Sequence, residues 1–231
     1  MTLLARTWIA TARARSVLGR ARRPREELVR RFAAGRSFAD IGCMWGVDGA
    51  ISFLAEENGA TAVTAVDLMP ASAQFEAQRK RRSSKVRFVQ GDLHDEKVIG
   101  VIGRHDLVWC SGVLYHAPNP LLTLASLREI TGELLILATE TIPEVPGFAQ
   151  ACVFLPGLSG EDRRLHASAR PGISAAGLSN AFEPAQAYGT WWWGLSRSAV
   201  RGMLHASGFE TLEEHGGPLH ATFLVRPVDH R

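Results

Sequence analysis

Asp40-Ile41-Gly42-Cys43-Met44-Trp45-Gly46-Val47-Asp48-Gly49 is the stretch that decides the fold. It follows a short apolar run, Ser37-Phe38-Ala39-Asp40-Ile41, and leads into Ile51, Phe53 and Leu54 at helical spacing. The order predicted is strand, glycine-rich turn, helix. Glycine in that turn lets the backbone pass close to a ligand with no side chain in the way.

The same rhythm recurs downstream. Ala62 to Asp67 reads as a second buried strand, and residues 71–82 as a helix with a basic end, Arg79-Lys80-Arg81-Arg82. Val86 to Val89 is a third strand, closed by Gly91-Asp92, and Asp106 to Cys110 a fourth. Residues 93–105 carry no assigned element. Pro120 opens a helix through Leu121, Leu124 and Leu127, and Glu133 to Ala138 is a fifth strand. Upstream, Pro24 starts a helix that carries Leu28, Val29 and Phe32 and stops at Gly35. Residues 3–19 show a looser helical pattern. Residues 141–190 break the rhythm with Pro, Gly and Ser. Ser196 then caps a helix ending at Gly208, and Phe209 to Glu214 and Ala221 to Val225 form a closing strand pair. Strands alternating with helices predict an α/β fold: a doubly wound, mostly parallel sheet with an antiparallel last strand. The expected divisions are a basic helical arm (1–36), a cofactor-binding core (37–140), a cap inserted after the fifth strand (141–190) and a segment completing the core sheet (191–231).

Composition narrows the classes. Hydrophobic residues make up 46% of the 231 and charged residues 21%, which excludes wholesale disorder. No run of 18 apolar residues is present, which argues against a spanning helix. The net charge of +3 hides a split: residues 1–36 hold ten Arg against Glu26 and Glu27, while the rest is mildly acidic. Cys43, Cys110 and Cys152 are too few and too scattered for a disulfide framework or a zinc site, so no metal and a reducing cytoplasm are expected. The first 23 residues resemble a mitochondrial transit peptide in composition. The excess of Arg over Lys, 23 to 3, favours a bacterial cytoplasmic protein instead.

In such sheets a ligand sits at the carboxyl ends of the strands, where strand order reverses. Asp67 ends the second strand, 21 residues beyond Gly46, where a carboxylate can accept the hydroxyl protons of a ribose. Asp92 ends the third, where a carboxylate could meet an exocyclic amine. Three such signals at three consecutive strand ends resemble the class I S-adenosylmethionine-dependent methyltransferases. The resemblance covers residues 37–140 well and 191–226 loosely. It implies that Asp40, Gly42, Cys43, Met44 and Gly46 surround the methionine part of S-adenosylmethionine, and that Asp67 holds the ribose with Leu68 beside the adenine. It further implies that Asp92 contacts the adenine amine and the Leu93 backbone the ring, and that Cys110 and Ser111 line the cofactor from the fourth strand. Met44 stands where the family usually has a further glycine. A nicotinamide dehydrogenase is the rival reading, but Asp40 would repel a pyrophosphate and attract the cationic sulfonium and ammonium.

Residues Asp106 to Pro120 leave the sheet at the crevice. In the resembled family this segment faces methyl group and acceptor, which makes His116 a candidate general base and Tyr115 a candidate catalytic or pocket residue. The alternative for His116 is a structural role in ordering the turn. Gly112 to His116 also resembles a subfamily that modifies the wobble uridine of transfer RNA with a carboxylated cofactor. That subfamily has an arginine shortly after the histidine; Ala117-Pro118-Asn119-Pro120 supplies none, so plain methyl transfer is expected. Phe148, Phe154, Leu155, Leu158, Phe182 and Tyr188 are expected to line the cap. Trp191-Trp192-Trp193 cannot all face one way, so they divide between an acceptor wall and the core. The main expectation is O- or N-methylation of a small molecule, in natural-product biosynthesis, by a monomer or homodimer. The alternatives are an RNA methyltransferase gripping phosphates with the basic arm and a non-catalytic interaction protein of the same fold.

Overall fold

The computed structural model describes residues 24–168, 176–179, 182 and 188–229. The helical pattern read over residues 3–19 and the transit-like composition of the first 23 lie outside the described residues. The elements are α1 (Pro24–Phe32), β1 (Ser37–Ile41), α2 (Ala50–Glu57), β2 (Ala62–Asp67), α3 (Ala73–Arg81), β3 (Arg87–Gln90), α4 (Glu96–Ile102) and β4 (His105–Ser111). They continue through a 3-10 turn (Leu114–His116) to α5 (Pro120–Ile130), β5 (Thr131–Glu140), β6 (Cys152–Phe154), a further 3-10 turn (Leu155–Gly157), α6 (Gly160–Ser168) and α7 (Ala176–Ser179). The chain closes with β7 (Trp193–Leu195), α8 (Arg197–Ala206), β8 (Phe209–Gly216) and β9 (His220–Pro227).

Seven strands form one sheet in the order β3-β2-β1-β4-β5-β9-β8. Strands β1 to β5 pair in parallel, and β9 runs antiparallel between β5 and β8. The doubly wound sheet with a reversed strand is therefore present as expected. Because helices cover both faces, the central strands are apolar almost throughout. On one face Phe38, Phe53, Phe75, Trp109 and Met44 pack with Leu28, Val29 and Ala33, so α1 is part of the core wall. On the other, Leu124 and Leu127 of α5 and Val200 and Leu204 of α8 pack on Val108, Cys110 and Leu137.

Local chemistry starts these helices. Ser72 Oγ accepts the Phe75 N–H at 3.0 Å, Asn119 Oδ1 the Leu122 N–H at 3.1 Å and Ser196 Oγ the Ala199 N–H at 3.2 Å. Each satisfies a donor that the first helical turn leaves open. Gly49, before α2, has φ +74°, and a Cβ there would lie 2.4 Å from the Phe75 ring. Only glycine meets both demands.

Two features differ from the sequence reading. Helix α4 joins β3 to β4, where the sequence pattern predicts no element. Its apolar cluster Val98-Ile99, Val101-Ile102 is too short for periodicity to separate helix from strand, and Asp95 caps it through the Lys97 N–H at 2.9 Å. The cap, moreover, is not lined by all its aromatics. Phe148 is 71% exposed and Phe154 48%, so Phe148 lies on the surface and Phe154 at the rim. The buried part of the cap is Leu155, Ala167 and Leu178 around Trp191 and Tyr115. Strand β7 pairs with β6, so Trp193 to Leu195 belong with the cap's own small sheet.

Candidate active site

Strand order reverses at β1, which has β2 on one side and β4 on the other, and the crevice opens at their carboxyl ends. The loop Gly42 to Gly49 forms its floor. Gly42 N–H donates to Val66 O and Gly49 N–H to Cys43 O. With φ +82°, Gly42 approaches β4 so closely that a Cβ would lie 2.9 Å from Ser111 O and 2.7 Å from the Val113 side chain. Cys43, Met44 and Cys110 direct their side chains into the core, so what they offer a ligand is backbone. Met44 therefore packs beneath the loop. Gly46 lies exposed at the loop's outer turn, and beside the loop stand the exposed apolar side chains of Trp45, Val47, Leu68 and Met69.

The three strand-end acids are each engaged within the chain. Asp40 is buried and accepts Ser52 Oγ–H at 2.6 Å from the first turn of α2. Burial pushes its carboxyl up to about 7, against the lowering effect of the Ser52 bonds and with a further push from Asp67. Asp67 accepts the Met44 N–H at 2.7 Å on one oxygen and the Met69 N–H at 2.9 Å on the other. It thereby ties the glycine loop to the loop after β2. Its carboxyl is also raised, by burial, although the backbone donors at Met69 and Met44 pull it down. Asp92 accepts the His94 N–H at 2.8 Å and, from the cap, the Tyr188 hydroxyl at 2.9 Å. His94 in turn reaches Thr123 at 2.8 Å. Burial and the facing carboxylate hold the Tyr188 phenol well above its ordinary range. Leu93 is buried beside this network.

At the end of β4 the chain turns from Ser111 and Gly112 into the 3-10 turn. Tyr115 and Trp191 pack at a tilt with centroids 4.2 Å apart, and Tyr115 and His116 likewise at 4.3 Å. His116 Nδ1 lies 2.9 Å from the Thr190 carbonyl oxygen. A carbonyl only accepts, so Nδ1 carries the hydrogen and Nε2 keeps its lone pair. Burial lowers the imidazole's pKa, with the Thr190 bond opposing. The histidine is thus held by the cap in one tautomer and kept neutral, an arrangement that serves both a base and an ordered turn. Thr190 Oγ1 beside it is buried with no hydrogen-bond partner among the described residues. The three tryptophans divide: Trp191 is buried in this cluster, Trp192 meets Phe182 at 4.8 Å, and Trp193 packs on Phe154 while its indole N–H donates to Pro118 O at 3.1 Å.

Sequence reasoning missed three contributors. Ser52 is a helix residue with no motif around it. The sequence offers Tyr188 as an apolar ring, with nothing to mark its hydroxyl as a partner of Asp92. Arg25 of α1, whose Nη1 donates to Ser111 Oγ at 3.5 Å, stands in the sequence only as one more basic residue of the arm. No local signal announces any of the three, since each partnership is made by the tertiary fold. Among the described residues no helix is long and apolar enough to cross a membrane.

Residues 39–132 match the family model described as a methyltransferase domain. No curated protein sequence matches the chain. The N-terminal domain of EvdMO1, crystallised with S-adenosylhomocysteine, aligns over 90% of this chain and 82% of its own, with a TM-score of 0.59 and 15% identity. The 1,6-didemethyltoxoflavin-N1-methyltransferase of Burkholderia thailandensis, with its substrate and S-adenosylhomocysteine bound, aligns over 98% of this chain and 88% of its own, at TM-score 0.59 and 15% identity. The pyocyanin biosynthetic protein PhzM aligns over 88% of this chain but 54% of its own, at TM-score 0.56 and 13% identity. The fold is that of the class I methyltransferases. Residues 39–132 carry the similarity to a methyltransferase domain, and the two similar structures named first were both crystallised with S-adenosylhomocysteine.

Proposed function

We propose that the protein transfers a methyl group from S-adenosylmethionine to an oxygen or nitrogen of a small molecule held beneath the cap. The observation that carries this reading is the crevice itself. The close-approach glycine Gly42, the acids Asp67 and Asp92, and the exposed apolar Leu68 and Met69 lie at adjacent strand ends. Their chemistry fits the group: carboxylates for ribose hydroxyls and an exocyclic amine, and apolar faces for an adenine ring. When bound, S-adenosylmethionine supplies an electrophilic methyl on a good leaving group. The chain's own part is to align the acceptor, exclude water and take a proton. Nε2 of His116 has the free lone pair for that proton, and the Thr190 carbonyl holds the ring in place. Tyr115, Trp191, Trp192, Trp193 and Phe154 supply an aromatic surroundings that suits a planar acceptor.

A small acceptor is favoured because the toxoflavin methyltransferase above holds a small-molecule substrate and PhzM is named as a pyocyanin biosynthetic protein, and because the cap brings its own apolar cluster. In the basic end of α3, Arg79 and Arg82 pair with Glu76 and Glu57. The free state of Cys43, Cys110 and Cys152 suits a reducing cytoplasm. Calorimetry tests the cofactor: S-adenosylmethionine should bind the wild type and fail to bind Asp67→Ala, and a wild type that binds none ends the proposal. Methyl-labelled cofactor incubated with a bacterial extract tests the acceptor class. Label should enter the dialysable fraction; label retained in RNA would replace the small-molecule reading with the RNA one.

A further inference from the structure

We propose that Arg25 holds the carboxylate of the cofactor's amino-acid tail, an inference that rests on the methyltransferase reading above. Arg25 lies in the first turn of α1, yet its guanidinium crosses to the end of β4 and donates to Ser111 Oγ at 3.5 Å, between residues 86 apart in sequence. The carbonyl of that same Ser111 is what a Cβ at Gly42 would strike at 2.9 Å. The cation therefore stands where the glycine loop comes nearest to β4. A Cβ at Gly112, the next residue, would lie 3.7 Å from the Tyr115 hydroxyl, so the aromatic cluster begins at the same point.

The layout of the crevice decides which part of the ligand reaches this point. Asp67 and Asp92 mark the β2 and β3 side for ribose and adenine. The rest of the molecule must then run across β1 toward β4. What it carries there is an ammonium and a carboxylate, and the carboxylate needs a cation. Neighbouring arginines have acidic partners already: Arg30 pairs with Glu27, Arg31 with Glu213, Arg36 with Glu133 and Arg197 with Glu214. Arg25 has no ion-pair partner among the described residues, only the neutral Ser111 hydroxyl. Its charge is felt nearby: the His220 imidazole is lowered first by burial and then by Arg25 and Arg197. A guanidinium with unused donors in a partly buried cleft is suited to grip a carboxylate with two parallel hydrogen bonds. The acidic body supplies Asp40 and Asp67 as a negative field at the crevice, and Arg25 supplies the positive complement that a zwitterionic tail requires.

The test uses the full chain and two ligands. S-adenosylhomocysteine carries the amino-acid tail; 5′-methylthioadenosine shares the adenosine and thioether but lacks ammonium and carboxylate. Arg25→Met should weaken S-adenosylhomocysteine about tenfold to a hundredfold, the usual loss for a charge-assisted hydrogen-bonded contact. It should leave 5′-methylthioadenosine unchanged, which also shows the variant to be folded. Arg25→Lys, keeping charge without the fork, should recover part of the loss. Unchanged S-adenosylhomocysteine affinity in Arg25→Met overturns the inference, and so does an equal loss for both ligands. A wild type that binds neither ligand sinks the methyltransferase reading along with it. A wild type that binds both, with the Met variant indifferent, sinks this inference alone.

Discussion

Asp40 sits in the middle of the sheet with its carboxyl raised to about 7 by burial, and that makes a testable demand on stability. The perturbation is Asp40→Asn, which mimics the protonated acid and still accepts the Ser52 hydroxyl. In the unfolded chain the carboxyl ionises near 3.8, while in the folded chain it holds its proton to about 7. Between those values the unfolded state binds fewer protons, so wild-type stability falls as pH rises through the window and levels off outside it. The full difference between the two values corresponds to about 4 kcal/mol, reached above the folded value. Urea unfolding, followed through the six tryptophans, gives the stability of each protein at a series of pH values. The wild type minus Asp40→Asn difference cancels the groups common to both. It should turn against the wild type by an amount approaching that figure between pH 3.8 and about 7. Parallel pH profiles for the two proteins would refute the reasoning. The carboxyl would then be ionised at little cost, and its burial under the loop would not be what sets its charge.

Three further outcomes are expected. Gly49→Ala forces a left-handed backbone on alanine and a Cβ into the Phe75 ring, so stability should fall by about 2–4 kcal/mol; a melting temperature equal to the wild type's would contradict the crowding argument. Tyr188→Phe removes the hydroxyl that joins the cap to Asp92, so amide exchange over residues 188–195 should accelerate, and unaltered exchange would show the bond to be idle. His116→Ala should cut turnover about a hundredfold or more while sparing S-adenosylhomocysteine affinity. In the wild type the acid limb of turnover should lie below pH 6.5, because burial lowers the imidazole's pKa and activity is lost only as pH falls through that lowered value. Unchanged turnover in the variant would return His116 to a purely structural role.

The legible and illegible parts of this molecule divide by the range of the interaction that makes them. Asp40, Asp67 and Asp92 could be placed at one edge because parallel strands put their carboxyl ends together, and β1, β2 and β3 do so in register. Pro24, Pro120 and Ser196 could be read as helix starts because such signals act within one turn. Helix α4 could not be read, since seven residues give periodicity too little to work on. The acids' partners were equally hidden. Asp92 meets a hydroxyl 96 residues away, and Ser111 a guanidinium 86 residues away.

That hidden layer changes what the acids mean. Read from the sequence, three carboxylates at three strand ends are open sites waiting for a ligand. In the fold none of them is open. Asp40 has turned inward to Ser52, so what it offers a cationic ligand under the proposed function is the field of a buried group whose charge depends on pH near neutrality. Asp67 spends both oxygens on the Met44 and Met69 N–H groups. Each carboxylate oxygen has a second lone-pair site, so a ribose can share Asp67 without breaking either bond. Sharing then fixes ribose, glycine loop and β2 loop to a single group, and ligand affinity becomes coupled to loop order. Asp92, bonded to Tyr188, carries the same logic to the cap: a base amine that joins it there binds a carboxylate already positioned by the element that covers the acceptor. On the proposed assignment of Asp92 to the cofactor, cofactor binding and cap position are linked through one side chain. The Tyr188→Phe exchange experiment, repeated with S-adenosylhomocysteine present, measures that link directly. If the ligand slows exchange over residues 188–195 as much in the variant as in the wild type, the coupling does not run through Asp92.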